Sequence, residues 1–166
     1  MKINGIPIIK PATEILVFNR PNSDPIIFEI RAVLDRTNFD VLVPPVVPPT
    51  ITKRGGEKVL DFKDANYTKI METHGRLYHY WMILNSIYIP APLEDGEPTR
   101  PEWEQVNLEK PDTWHLYEKE LIDSGFSEVE RLRLQNSILS VNSIDETKIR
   151  EARDSFLASR RQVQPE

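Results

Sequence analysis

Cysteine is absent from the sequence. That excludes disulfides, thiol nucleophiles and zinc–thiolate sites, and it fits a reducing compartment. Histidine is scarce: His74, His79 and His115 are all there are. His74 and His79 are five residues apart and fall on different faces of a helix, whereas helical metal pairs use i, i+3 or i, i+4 spacing. No G-x-S-x-G elbow is present. The glycine pair Gly55-Gly56 lacks the strand-to-helix setting of a phosphate loop and reads as a turn. Carboxylates are plentiful, among them Glu118, Glu120 and Asp123 in one predicted helix, but their spacing singles out no catalytic pair. No catalytic residue, metal ligand or cofactor is assigned, and the chain is expected not to be an enzyme.

Two further shortages narrow the class. Basic residues are outnumbered, giving a net charge of −5 and a pI of about 5.3. A sequence-independent grip on nucleic acid needs the opposite sign. Long apolar runs are missing, and none approaches the roughly 20 residues of a membrane span. The opening MKINGIPIIKPATEI has only a short apolar run, broken by Pro7 and Pro11, so a secretory leader is not expected. Neither nucleic acid nor membrane is an expected partner.

What the chain does contain is enough apolar surface for a core. Its 166 residues are 39% apolar, which suits one domain or two small lobes sharing a core. Fourteen prolines are unevenly spread, and Pro165 is the only one after Pro111. The pattern predicts an α+β fold, mainly α, in four segments. Residues 1–43 form an N-terminal β-hairpin region, 44–60 an extended proline-rich strap, 61–160 a four-helix body, and 161–166 a disordered tail.

The hairpin is read from EILVFN (14–19) and IIFEIRAV (26–33), joined by the turn-forming Arg20–Pro25. Ile27, Glu29 and Arg31 alternate with Phe28, Ile30 and Ala32, so one face is buried. Asp35 caps a short helical turn running to Leu42. In VPPVVPPT (43–50), each proline fixes its own φ and pushes its predecessor out of the α region. The strap is therefore stiff and extended, and is expected to tie the hairpin to the helices.

Asp61–Tyr88 is the strongest helix, with a stripe at 67, 70, 74, 77, 81, 84 and 88, a cap at Asp61 or Asp64, and a stop at Pro90. Gly75 inside it suggests a kink or close crossing. Pro111 opens a helix that Gly125 ends. Ser127 and Glu130 form a capping box for the next helix. Asp145 opens the last.

The order of these pieces resembles the tail assembly chaperones of long-tailed bacteriophages, over residues 25–158. The most distinctive matches are W-E-x-V (103–106), P-x-T-W (111–114), E-L-x-x-x-G-F-S-x-x-E (120–130) and I-D-E-x-K-x-x-x-A-R-x-x-F-L (144–157). The resemblance implies a non-enzymatic protein of the infected host's cytoplasm. It would bind the tape measure protein and help recruit tail tube subunits around it. A homo-oligomer is left open. The alternative is a structural subunit of the phage particle at a head–tail joint, reaching its neighbours with the hairpin and strap.

Apolar residues cover more than half the girth of the long helix, a surplus that suits a partner-binding face. Tyr80, Trp81, Met82, Ile83 and Met71 are the candidate contacts there, although Trp81 also suits the core. Tyr80 is the ring expected to point outward. Lys53 and Arg54 add a basic spot at the end of the strap.

Overall fold

The computed structural model describes residues 2–3, 6–7, 11–21, 23–92 and 96–142, with side chains from residue 11 onward. In chain order the strands are β1 (Lys2–Ile3), β2 (Ile6–Pro7), β3 (Thr13–Phe18) and β4 (Ile26–Arg31). Helix α1 (Thr37–Leu42) follows, then β5 (Thr50–Thr52), β6 (Lys58–Leu60), the long helix α2 (Ala65–Ser86) and β7 (Ile87–Tyr88). A 3-10 helix (Pro111–Leu116) leads into α3 (Tyr117–Asp123), and α4 (Glu128–Val141) closes the described chain. The fold is α+β. The expected helix beginning at Asp145 and the expected tail lie outside the described residues.

The chain divides into two compact units. Unit 1 takes residues 1–33, 86–101 and 126–166, and unit 2 takes 34–85 and 102–125.

Unit 1 is built on an antiparallel sheet of order β3-β4-β7. The expected hairpin is its larger part, in register from Thr13 opposite Arg31 to Phe18 opposite Ile26. Alternation decides its faces. Leu16, Phe18, Phe28 and Ile30 are buried, while Ile15 and Ile27 are exposed. Helix α4 packs on β3 and β4 with Leu134, Ile138 and Val141 buried. Phe126 joins Phe18 and Phe28 in a three-ring cluster, with centroids 5.6 and 5.9 Å away. Such ring pairs add about 0.5–1.5 kcal/mol each beyond their buried area.

Asn142 at the end of α4 fastens three segments of the unit. Its Oδ1 accepts from the Val33 amide at 2.9 Å, and its Nδ2 donates to Ser86 Oγ and to the Ile138 carbonyl. Strand β7 corrects the expectation that α2 runs to Tyr88. Ile87 pairs with Ile30 and Tyr88 with Glu29, so the sheet claims these two residues from the helix.

The start of α4 follows its sequence closely. Ser127 Oγ accepts from the Glu130 amide, and the Glu130 carboxylate accepts from the Ser127 amide and hydroxyl. These bonds, the backbone one foremost, hold the Glu130 carboxyl below its ordinary value, helped by Arg20. A lowered folded value means that the unfolded chain binds the proton more tightly. The stabilisation is therefore complete above the ordinary Glu value of about 4.3 and lost as pH falls through the lowered one. The expected result is acid fraying of α4 that Ser127→Ala largely removes, at a cost near neutral pH of about 1 kcal/mol. Circular dichroism and urea unfolding of both proteins at neutral and acid pH check it.

Unit 2 gathers around Phe39 of α1, which is fully buried. Its ring lies 5.1 Å from His74 and Tyr78, 5.6 Å from Trp81 and 6.3 Å from Trp114. Asp35 does not cap α1 in the expected way. The N-cap is Arg36, and the Asp35 carboxylate accepts from the Thr37 hydroxyl and amide. Those two bonds, the hydroxyl's first, keep Asp35 below the usual carboxylate range.

The strap is also corrected. Residues 43–49 carry neither helix nor strand, but they run from α1 to β5, both in unit 2. The chain leaves unit 1 earlier, at Val33. The strap's later part, residues 50–60, is not an extended linker. It forms a second hairpin, in which β5 and β6 pair from Thr50 opposite Leu60 to Thr52 opposite Lys58. Gly55 and Gly56 supply its turn with φ of +113° and +84°, a region that favours glycine.

Glycine has opposite meanings at the ends of α2 and α3. Gly125 ends α3 at φ +81°, so Gly125→Ala is expected to destabilise by about 1 kcal/mol through backbone strain alone. Gly75 lies inside α2, and a Cβ there meets nothing within 4 Å among the described residues. The expected close crossing is not found there. Gly75→Ala should therefore stabilise by about 1 kcal/mol. Thermal melts of the two variants should move in opposite directions.

Candidate functional site

The two halves of α2 have different surroundings although one apolar stripe runs through both. Asp64 caps the start, its Oδ1 accepting from the Tyr67 amide at 2.7 Å. In the later half, Trp81, Met82, Ile83 and Leu84 are all buried. In the first half, Tyr67, Ile70, Met71 and His74 continue the stripe at i, i+3, i+4 and i+7, yet Ile70 is 44% and Met71 40% exposed. The Phe39 ring packs against the rings of His74, Tyr78 and Trp81, in the middle and later turns of the helix.

The residues leading into α2 extend this open face. Phe62 is 64% exposed, and its ring packs edge-on against Tyr67 at 6.2 Å. The β5–β6 hairpin has no buried residue in either strand, and Ile51 and Leu60 are exposed. A two-stranded hairpin without a buried face is marginally stable on its own. Among the described residues of the stretch 50–71, Ile51, Leu60, Phe62, Ile70 and Met71 are exposed, and Val59 and Tyr67 are half-buried.

The candidate contacts read from sequence divide accordingly. Met71 lies on the open face, and Lys53 and Arg54 lie in the exposed turn of the β5–β6 hairpin. Trp81, Met82 and Ile83 belong to the interior and offer no surface. Tyr80 does not point freely outward. It is half-buried, with its ring 5.9 Å from buried Tyr117. Phe62 and Ile70 are exposed apolar residues that the candidate contacts left out. Ile70 was visible as a stripe position, whereas Phe62 follows no period.

The chain matches no family model, no curated protein and no solved structure.

The polar groups with unusual settings are mostly structural. Glu120 is buried in α3, and its carboxylate accepts from the amides of Glu104, Gln105 and Val106. That acid anchors the loop before the 3-10 helix and is fully occupied. Trp114 is buried beside it in sequence order, with Nε1 donating to the carbonyls of Asn107 and Leu108. His74 has a buried Nε2 without a hydrogen-bond partner and an edge-on contact with Phe39. His79 is half-buried and His115 exposed. Among the described residues no three His, Asp or Glu side chains converge to hold a metal ion. No described helix is long and apolar enough to cross a membrane.

Proposed function

We propose that this chain is a bacteriophage tail assembly chaperone, which binds apolar helical stretches of the tape measure protein in the host cytoplasm and assists tail tube assembly around it. The observation that carries this reading is the bare half of α2. A chain that buries one half of an amphipathic stripe and leaves the other open, next to a hairpin with no buried residue, has a surface suited to another polypeptide. The order of sequence motifs resembling those chaperones supplies the identity of the partner. Methionine at the open face suits a binder that meets many different segments along one long partner, because its side chain adapts to varied shapes.

The unburied β5–β6 hairpin also favours a second reading, a structural subunit whose arm completes itself on a neighbour in the particle. Two measurements separate them. Co-expression is expected to raise the solubility of the tape measure protein and to yield a co-purifying complex. Mass spectrometry of finished particles is expected to find this chain absent. Stoichiometric presence in particles would favour the subunit. Failure both to co-purify and to change solubility would remove the chaperone reading.

A further inference from the structure

We infer that residues 145–159 dock back along the outward side of α4 as an antiparallel helix, covering an apolar row that α4 leaves in solvent. This surface belongs to unit 1 and is independent of the partner face on α2.

Helix α4 is apolar on two sides. Leu134, Ile138 and Val141 are buried on the side that meets β3 and β4. On the opposite side Val129 is 74% and Leu132 51% exposed, and half-buried Leu139 continues their row past exposed Asn136. Positions 129, 132, 136 and 139 are spaced i, i+3, i+7 and i+10, which is one line along a helix. An apolar line on the solvent side of a helix whose other side already fills a core marks a contact.

The chain itself carries a segment that fits. Helix α4 ends at Asn142, which is held by Val33, Ser86 and Ile138. Residues 143–166 follow from that fixed point and lie outside the described residues. Their sequence has a helix N-cap residue at Asp145, with only Ser143 and Ile144 between it and Asn142. Two helices joined by so short a connection are antiparallel neighbours. Beyond Asp145, Ile149, Ala152 and Phe156 fall on one narrow stripe, and Arg150, Glu151 and Asp154 fall away from it.

The two rows agree in spacing and in phase. Counted away from the turn, α4 offers 139, 136, 132 and 129, and the following segment 149, 152, 156 and 159, so both step by 3, 4 and 3. Laid antiparallel, they meet in layers: Leu139 with Ile149, Asn136 with Ala152, and Leu132 with Phe156. Val129 meets Ser159 at the open end. Asn136 is the single polar member of the α4 row, and one polar residue in an apolar seam fixes register at a cost in stability. A tether this short gives the segment an effective concentration on the order of millimolar at the row. It therefore reaches the row ahead of a second copy or another protein.

The test uses the full chain, which has no cysteine of its own. Asn136→Cys with Ala152→Cys places one thiol on each side of a layer. Under mild oxidation this pair is expected to close an intramolecular disulfide at least tenfold faster than Asn136→Cys with Glu151→Cys. Position 151 is adjacent in sequence but on the far side of the segment. Peptide mapping identifies the bond. Equal rates for the two pairs would overturn the proposal. A disulfide that forms between molecules, with self-association in sedimentation, would overturn it in favour of a second copy.

A second measurement needs no disulfide geometry. Leu132→Ser and Phe156→Ser are each expected to lower the melting midpoint by about 4 °C, whereas a side chain left in solvent would not move it. Together they should lower it by clearly less than the two shifts combined, because residues in contact are coupled. No shift at either position, or two shifts that add fully, would overturn the proposal. So would rapid alkylation of Leu132→Cys in the free chain that slows only when the tape measure protein is co-expressed, since the row would then belong to that partner.

Discussion

Trp114→Ala is expected to destabilise the protein by about 4 kcal/mol, more than any other single truncation described here. Three effects combine. The indole is fully buried, so its removal loses transfer free energy and leaves a large cavity beside Phe39, whose ring is 6.3 Å away. The Nε1 proton also holds two carbonyls, those of Asn107 and Leu108, at 3.1 and 3.2 Å. Without the indole those carbonyls lose their donor, and the loop loses its anchor to the 3-10 helix. Trp114→Phe separates the terms. It keeps most of the volume and abandons the hydrogen bonds, so it should cost about 1–2 kcal/mol. Urea unfolding of the three proteins gives both differences. A cost below about 1 kcal/mol for the alanine variant would mean that the site collapses onto neighbouring rings.

The second large effect is expected at Glu120. Its carboxylate is the acceptor for three successive amides, at residues 104, 105 and 106. The side chain is 8% exposed, so water replaces it poorly. Glu120→Ala orphans all three donors, and an expected loss of about 3 kcal/mol follows from unsatisfied groups in a part-buried site. Glu120→Gln is the sharper variant. The amide matches the carboxylate in size, and its oxygen can keep the bonds from Gln105 and Val106 while its NH2 faces the Glu104 amide, so it should recover more than half of the loss but not all of it. Hydrogen exchange at Gln105 and Val106 reports the event directly. Protection there should vanish in Glu120→Ala and largely persist in Glu120→Gln, whose amide oxygen can still accept from Gln105 and Val106, while protection in α4 persists. If Glu120→Gln behaves like the native chain, the carboxylate is not what holds the loop.

These two residues also show how the sequence carries some features and hides others. The capping box at Ser127 and Glu130, the stop at Gly125 and the alternation in β4 were legible because each is a local signal, complete within a few residues. The N-terminal hairpin was legible for the same reason. Glu120 was visible only as one acid among several, because its partners are backbone amides 14–16 residues upstream with no side-chain signature. Its bonds do explain why W-E-x-V and E-L occur together: the first motif is the loop that the second motif's acid holds. The segment from Pro111 read as one helix. It begins as 3-10, a tightening common at helix starts.

The β5–β6 hairpin was written in TIT and KVL around Gly55-Gly56, but the four prolines just before it drew the whole stretch into a single extended strap. Strand β7 could not have been seen locally. Ile87 and Tyr88 continue the helical period of α2, and only their pairing with β4 overrides it. The candidate surface was half legible. Periodicity showed that α2 has an apolar stripe along its full length. It could not show that Phe39 packs on the later turns, or that Ile70 and Met71 stay partly exposed, because that depends on where a six-residue helix lands. Trp81, Met82 and Ile83 were named as candidate contacts for that reason, and they are buried, whereas Ile70 and Met71 near the start of the helix are exposed.

The division of the chain has a practical consequence. The polypeptide passes between its two units at residues 33–34, 85–86, 101–102 and 125–126. No single cleavage can release either unit intact, and no gene fragment with one start and one end encodes unit 2 without also carrying residues 86–101 of the other. Any terminal truncation that reaches unit 2 must first remove an end of unit 1, so partner binding by unit 2 is dissected cleanly by point substitution and not by deletion mapping.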